Sequence, residues 1–318
     1  MRYRTMPKNG DELSVLGFGC MRLPMMEGGK IHVDKAIEQV RQAIDNGVNY
    51  LDTAWPYHGG ASETIVGTIL QDGYRDKVKI ATKLPTWLIS SRADMDSYLD
   101  KQLDKLQTDR IDYYLLHALN GHTWDKLADL GVTEFLDTAI ADGRIVNAGF
   151  SFHGVLEDFK RIVDAYPWIF CQIQYNYLDQ HYQAGTEGLK YAAARELGII
   201  VMEPLRGGNL GLPEPPPAIG SLWDQADTRR TPVEWALRWI WNHPEVTVIL
   251  SGMNEDDHIA ENLRIADQGV ANSLTEQELV LVDKAASTYK ELMKVDCTGC
   301  GYCVPCPEGV MCPALFEV

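Results

Sequence analysis

The chain has 318 residues, of which 45% are hydrophobic and 23% are charged, and its formal net charge is −16. This is the composition of an ordinary globular protein, and the length suits either two domains or one α/β barrel of about 250 residues. Because an acidic surface repels phosphates, the charge argues against nucleic acid and anionic membranes as partners. No stretch reaches the ~20 apolar residues of a membrane span, and the N-terminal segment lacks the apolar core of a signal peptide.

Short apolar runs alternate with amphipathic stretches along the chain, after a turn at Lys8-Asn9-Gly10 that indicates an N-terminal hairpin. We predict strands over residues 15–20, 50–54, 79–84, 111–117, 146–151, 170–175, 199–203 and 247–251. We predict helices over residues 33–46, 63–70, 92–106, 124–141, 155–165, 186–197, 232–242, 256–266 and 275–293. This alternation requires parallel strands joined by right-handed crossovers.

Eight strand–helix units are the number that closes a (β/α)8 TIM barrel. The alternative is an open doubly wound sheet, which usually carries a Gly-x-Gly-x-x-Gly turn after its first strand; this chain has none there. One connection, residues 206–231, is long and rich in proline. It is either a lid over the barrel mouth or a disordered excursion.

Polar side chains stand where three neighbouring strands end, and side chains at such ends face the active-site mouth of a barrel. They are Asp52, Lys83 and His117, and Tyr57 follows shortly after the first of them. Each one alone has an ordinary structural explanation, such as a turn cap or a buried histidine. An acid, a phenol, an amine and an imidazole on consecutive strands together predict a catalytic group.

At these positions the chain resembles the aldo-keto reductases, through Leu51-Asp52-Thr53-Ala54, Tyr57, Ser62-Glu63, Thr82-Lys83 and Leu115-Leu116-His117. The similarity spans residues 13–293. It implies an NAD(P)H-dependent oxidoreductase that reduces an aldehyde or ketone to an alcohol. Tyr57 would donate the proton, and we expect Lys83 to lower the phenol's pKa from its ordinary value of about 10 while Asp52 holds the amine. His117 would orient the substrate oxygen.

The resemblance also implies an extended nicotinamide dinucleotide held without a Rossmann fold. Ser151 and Gln172 match carboxamide-binding positions, and Met202 stands where the family usually stacks an aromatic ring on the nicotinamide. Further residues match family positions that contact the dinucleotide. The backbone of Gly19, Cys20 and Met21 matches the lining of the site. Glu203, Leu205, Ser251 and Met253 match pyrophosphate and ribose contacts, and Glu261 and Asn262 match adenine contacts. Gly252 and His258 replace the basic residues expected for a 2′-phosphate. NADPH is the expected cofactor, and NADH is the alternative.

The C-terminal segment carries Cys297, Cys300, Cys303 and Cys306 at two-residue spacing, followed by Cys312. This spacing is close to the ferredoxin-type run of 4Fe-4S proteins, but the last gap is one residue shorter. The fourth ligand is therefore either Cys306 or Cys312. A zinc site and disulfides are the alternatives to a cluster.

We therefore expect a barrel over residues 1–294 and an iron–sulfur tail over residues 295–318, similar to the tail of a bacterial and archaeal branch of the family. Because relatives of that branch often continue further, the chain is either a short member or truncated after Val318. Free thiols indicate a reducing, cytoplasmic setting.

Three functions compete for this arrangement: a carbonyl reductase with an accessory cluster, an electron-transfer protein served by a redox partner protein, and a barrel that binds nicotinamide as a signal. An electron carrier has no need of a phenol, an amine and an acid. The complete tetrad therefore favours the first function, with a small-molecule carbonyl substrate and with no nucleic acid or membrane partner.

Overall fold

The computed structural model describes residues 1–293. The predicted cluster ligands Cys297, Cys300, Cys303 and Cys306, and the alternative Cys312, lie outside the described residues. At the N-terminus, β1 (Tyr3–Thr5) pairs antiparallel with β2 (Glu12–Ser14). Gly10 supplies the positive φ of 76° that the connecting turn requires. The predicted hairpin is confirmed.

Eight parallel strands form a closed barrel in chain order, in which the last strand pairs with the first. They are β3 (Leu16–Gly19), β4 (Tyr50–Asp52), β5 (Lys79–Leu84), β6 (Ile111–Leu119), β7 (Ile145–Phe152), β8 (Phe170–Gln174), β9 (Gly198–Met202) and β10 (Val246–Ser251). Closure between β10 and β3 confirms the predicted (β/α)8 architecture. The doubly wound alternative is wrong, because an open sheet would leave these two strands as separate edges.

The helices lie outside the barrel strands. They are α1 (Val33–Asp45), α2 (Ser62–Ile69), α3 (Arg92–Leu106), α4 (Gly121–Asp129), α5 (Val132–Ala141), α6 (Leu156–Ala165), α7 (Gly185–Ala193), α8 (Pro217–Trp223), α9 (Pro232–Trp241), α10 (Asp256–Ala266) and α11 (Glu276–Leu292). The single helix predicted over residues 124–141 is wrong. Asn120 starts α4 with a capping box, and Gly131, at φ 76°, separates α4 from α5.

The long connection after β9 contains ordered structure. It begins with a 3₁₀ segment, Arg206–Gly211, and continues into α8, which packs on α11. The ring of Trp223 stacks on Trp235 with centroids 4.8 Å apart and planes at 14°. Of the two alternatives for this segment, the disordered excursion is therefore wrong, and the lid stays a prediction.

Aromatic side chains fill the lower interior of the barrel. Tyr113 packs edge-on against Tyr50 at 5.4 Å and against Phe170 at 5.1 Å, all three being fully buried. Side chains of this size leave no channel through the barrel. Within residues 1–293, no helix combines the length and apolar character needed to cross a membrane.

Candidate active site

Four predicted catalytic side chains meet at the carboxyl end of the barrel. Asp52 ends β4, Lys83 lies in β5 and His117 in β6, while Tyr57 opens the 3₁₀ turn Tyr57–Gly60. The Lys83 amine donates to Asp52 Oδ1 at 2.6 Å and to the main-chain oxygen of Thr53 at 2.8 Å. It also lies 3.4 Å from the Tyr57 hydroxyl. The phenol and the amine therefore lie within reach of one another, as the sequence predicts.

The electrostatics of the phenol differ from the expectation. Burial, with the negative charge of Asp52, raises the pKa of Tyr57 well above 10 instead of lowering it. The largest cause is burial, because taking the hydroxyl out of water disfavours the charged phenolate. Burial also raises the pKa of Asp52, and hydrogen bonds from Lys83 and Gln172 oppose that rise. Tyr57 is therefore a protonated phenol at neutral pH.

His117 is held in a neutral form beside this group. Burial and the nearby charge of Lys83 lower its pKa well below 6.5. The register between β6 and β7 shifts between Leu116 and Leu119, and within this bulge Ala118 has a positive φ of 53°. The Ala118 N–H donates to Ser151 Oγ at 2.8 Å, which fixes the bulge that presents the imidazole. Ser151 thus has a supporting role that the sequence did not indicate.

A second buried network lies behind Lys83. The Glu63 carboxylate accepts hydrogen bonds from Thr82 Oγ1 at 2.7 Å and from Gln102 Nε2 at 2.6 Å. Gln102 also donates to the main-chain oxygen of Lys83 at 3.0 Å and accepts from the Tyr114 hydroxyl at 2.8 Å. These bonds fasten α2 and α3 to the strand that carries the amine. They give a physical reason for the Ser62-Glu63 motif, whereas no sequence signal pointed to Gln102.

The residues matched to cofactor contacts gather around the same mouth. Neighbouring strands β9, β10 and β3 bring the segments 202–205, 251–253 and 19–21 to one side. Ser151 and Gln172 stand opposite each other in the β7–β8 register. Gln172 Oε1 is buried and has no hydrogen-bond partner within residues 1–293. A carboxamide N–H is a donor that such an oxygen needs, so the residues present fit a nicotinamide group.

Helix α10 supplies the remaining matched residues. Asn262 is buried and donates to Ser251 Oγ at 2.9 Å, so it fixes the end of β10. Glu261 accepts from Thr231 Oγ1 at 2.7 Å, and His258 is exposed. The structure therefore brings Asn262 and Ser251 together, while Glu261 is engaged with the segment before α9.

Arg22 is a residue that sequence reasoning missed. It follows Met21 in the loop after β3, and its side chain packs against Gly252. A Cβ added at Gly252 would lie 3.3 Å from the Cβ of Arg22. Its Nη1 donates to the main-chain oxygen of Gly207 at 3.0 Å. The aliphatic part of Arg22 therefore lies against residue 252, and its guanidinium lies against the loop that follows β9. No spacing in the sequence connects residue 22 with residue 252.

The two cysteines of the barrel are buried free thiols, and burial raises the pKa of both Cys20 and Cys171. Raised pKa values keep these thiols protonated and unreactive. Over the described part of the chain, no group of three His, Cys, Asp or Glu side chains is arranged to hold a metal ion.

Comparison with known proteins places this geometry among its relatives. The model of the aldo/keto reductase family matches residues 15–286. The oxidoreductase YqkF of Bacillus subtilis (strain 168) is 25% identical over 309 residues, which cover 88% of this chain and 94% of YqkF. The holo form of aldo-keto reductase AKR11C1 from Bacillus halodurans superposes with a TM-score of 0.74 at 25% identity, covering 90% of this chain and 96% of that one. An aldo-keto reductase from Klebsiella pneumoniae in complex with NADPH has the same fold, with a TM-score of 0.71 at 22% identity and coverage of 89% and 95%.

Proposed function

Because the chain belongs to the aldo/keto reductase family of NAD(P)H-dependent oxidoreductases, we propose that it reduces the carbonyl group of an aldehyde or ketone to an alcohol. The observation that carries this proposal is the Tyr57 hydroxyl 3.4 Å from the amine of a buried Lys83–Asp52 pair. A phenol in this position is protonated at neutral pH and has a cation ready beside it. A group that donates a proton to a carbonyl oxygen during reduction needs this arrangement.

A nicotinamide dinucleotide, when bound, supplies a hydride to the carbonyl carbon. The neutral His117 donates a hydrogen bond to the carbonyl oxygen and orients it. Tyr57 gives its proton to the same oxygen, and the phenolate that forms gains stability from the ammonium of Lys83. Asp52 holds that ammonium in place through the 2.6 Å contact. Positioned proton transfer of this kind contributes a factor of about 10²–10⁴ in rate.

The test is Tyr57→Phe, which removes one hydroxyl and leaves the ring. We expect carbonyl-dependent oxidation of NADPH to fall by about 10²–10⁴, while the dissociation constant of the dinucleotide, read from quenching of the eight tryptophans, stays unchanged. Tyr191→Phe, on the outer helix α7, is a matched control that should keep full activity. Near-normal reduction by Tyr57→Phe would remove the phenol from this role.

For the cofactor we propose NADPH, and the support is Arg22. Its side-chain carbons pack over Gly252 and its guanidinium reaches the main-chain oxygen of Gly207, so its positive charge lies near the loops that follow β9 and β10. Charge-assisted hydrogen bonds contribute about 1.5–3 kcal/mol each. We expect Arg22→Gln to weaken NADPH binding by about 10- to 100-fold and NADH binding much less. Equal losses would assign Arg22 to the pyrophosphate, and tighter binding of NADH by the unmodified protein would favour the alternative cofactor.

For the substrate we propose a carbonyl compound with an apolar or aromatic group. Large hydrophobic side chains follow the strand ends and are exposed: Trp87 45%, Leu88 42%, Val155 60% and Tyr182 52%. The Trp87 ring also packs against His117 with centroids 5.2 Å apart. Apolar surface beside the imidazole would bury the apolar part of a ligand while its oxygen meets His117 and Tyr57.

The C-terminal cysteines carry a second proposal, which comes from their spacing: a 4Fe-4S cluster held by Cys297, Cys300, Cys303 and Cys306. Arg206 Nη1 lies 3.0 Å from the Met293 sulfur, so the last described residue is next to the loop that follows β9.

Iron and sulfide analysis of protein purified without oxygen tests the cluster, together with its absorption spectrum. We expect about four irons and four sulfides per chain; zinc alone, or no metal, would contradict the cluster. Removing residues 294–318 separates the two functions. If carbonyl reduction survives, the cluster is accessory; if reduction is absent from both forms while the cluster exchanges electrons with a partner protein, electron transfer is the main activity. On the same sequence grounds we propose a cytoplasmic location.

A further inference from the structure

The residue after Tyr57 has an unusual backbone. His58 lies in the left-handed region, with φ 53° and ψ 43°, and Gly59 and Gly60 follow with φ of 64° and 93°. A positive φ is uncommon in residues other than glycine and costs about 1–2 kcal/mol. Such a conformation persists when surrounding contacts hold it. The contacts of His58 therefore indicate what the conformation is for.

The imidazole of His58 contacts one short turn at the end of β3. Its Nε2 accepts from the main-chain N–H of Leu23 at 3.0 Å. Since Nε2 is an acceptor, the proton of the neutral ring is on Nδ1. The backbone of Cys20, at the other end of the turn, acts on the same ring and opposes the lowering of its pKa. The side chains of Cys20 and Leu23 are both buried, so the two ends of the turn are anchored in the core.

The turn Cys20–Leu23 leads out of β3 and carries Met21 and Arg22, both of them exposed at the barrel mouth. The same imidazole directly follows the catalytic phenol in the chain. One ring therefore connects the turn that presents Tyr57 with the turn that we place against the dinucleotide. Ser62 Oγ adds a second bond to the Cys20 oxygen, at 3.1 Å.

We propose that His58 is a positioning residue that ties the Cys20–Leu23 turn to the Tyr57 turn and so fixes the proton donor relative to the bound dinucleotide. This inference rests on the proposed function. It requires a neutral ring, because a doubly protonated imidazole has no acceptor for the N–H of Leu23.

Burial lowers the pKa of His58 below 6.5. The tie is therefore complete at neutral pH and is lost as the pH falls through that lowered value. The titratable and charged groups on the surrounding elements include Cys20, Arg22, Asp52, Tyr57, Glu63, Lys83 and Lys105. Of these, Lys105 donates to the main-chain oxygen of Gly60 at 3.2 Å and to Glu63.

The decisive variant is His58→Gly, because glycine accepts the left-handed backbone and removes only the imidazole. At pH 7.5 we expect the dissociation constant for NADPH to rise about tenfold, the energy of one or two hydrogen bonds, and kcat to fall. In the unmodified protein, binding should weaken as the pH falls through the lowered pKa of His58 and the ring protonates. In His58→Gly that acid dependence should vanish. His58→Gln, whose amide oxygen accepts without titrating, should recover part of the affinity and show no acid dependence.

Gly59→Ala is the matched control. The variant places a side chain at a φ of 64° and so strains the same turn. No atom lies within 4 Å of the added Cβ, and the imidazole stays in place. Its acid dependence should be that of the unmodified protein. If His58→Gly keeps both the affinity and the acid dependence, the inference is overturned while the reductase proposal stands.

A readout without cofactor separates the two proposals further. Hydrogen exchange at the Leu23 amide, measured on the full chain, should be at least about tenfold faster in His58→Gly than in Gly59→Ala, since the N–H loses its acceptor. Unchanged exchange would overturn the inference whether or not the protein reduces carbonyls. Failure of the unmodified protein to bind dinucleotide or turn over any carbonyl would instead overturn the proposed function.

Discussion

Replacing Lys83 by methionine removes one partner of the buried ion pair on which the active site depends. The side chains of Lys83 and Asp52 are 1% and 3% exposed and meet at 2.6 Å. Methionine fills nearly the same volume without a charge, so the variant leaves the Asp52 carboxylate in a low-dielectric interior without its cation. Breaking a buried pair in this way costs about 3–5 kcal/mol. With an unfolding entropy of about 2.1 cal/mol/K per residue, a chain of this length should lose roughly 5–8 °C in Tm.

The loss of Tm in Lys83→Met should grow as the pH rises. Burial already holds the pKa of Asp52 above its ordinary value, and removing Lys83 takes away the largest opposing effect. The folded state of the variant therefore binds a proton more tightly than the unfolded chain, whose Asp titrates near about 3.9. The penalty is small below that value and grows as the pH rises through the folded-state pKa. The deficit in Tm should consequently be larger at pH 8 than at pH 5.

Thermal unfolding followed by circular dichroism at both pH values measures this. Lys83→Met/Asp52→Asn removes both charges and should regain most of the stability at pH 8 without regaining activity. Lys77→Met breaks an exposed pair with Asp45, 50% and 49% exposed, and should change the free energy of unfolding by less than about 1 kcal/mol. An equal loss at pH 5 and pH 8, with no recovery in the double variant, would refute the assignment of the pair as buried and charged.

Two further predictions concern packing and proton transfer. Gly149→Ala would place its Cβ 2.4 Å from the Phe170 ring and should lower the free energy of unfolding by about 1–3 kcal/mol in urea titrations. In Gly220→Ala, within α8, the atom nearest to the added Cβ is 4.0 Å away. This variant should raise the free energy of unfolding by about 0.5–1 kcal/mol. Because the pKa of Tyr57 is raised well above 10, the rate of carbonyl reduction should show no loss from phenol ionisation through neutral pH, and a basic limb centred near pH 8 would contradict this.

Much of the fold could be predicted from the sequence, because the period of apolar residues changes between strand and helix at each unit. Strand β5 and helices α3 and α10 lie at the predicted residues, and the other strands differ by a few residues at their ends. The error over residues 124–141 arose because both halves carry helical patterning. The break there depends on the left-handed conformation of Gly131. A glycine within helical patterning does not by itself reveal whether the chain turns there.

The catalytic side chains could be predicted for a topological reason. In a barrel of parallel strands, residues at the strand ends share one face whatever the details of packing, so Asp52, Lys83 and His117 were found from position alone. The raised pKa of Tyr57 could not be found in that way. It depends on how deeply the phenol is buried and on how near the charge of Asp52 lies, and only the folded chain decides both.

The sequence by itself determined the order of the units and the kinds of groups at the mouth of the barrel, because both follow from local patterning. Only the tertiary structure decided which distant segments meet there. Closure of β10 against β3 brings Arg22 beside Gly252, 230 positions along the chain, and folding of the turn after Tyr57 brings His58 onto Leu23. Contacts of this kind depend on the closed geometry of the sheet and on the direction of single side chains, and neither leaves a periodic trace in the sequence.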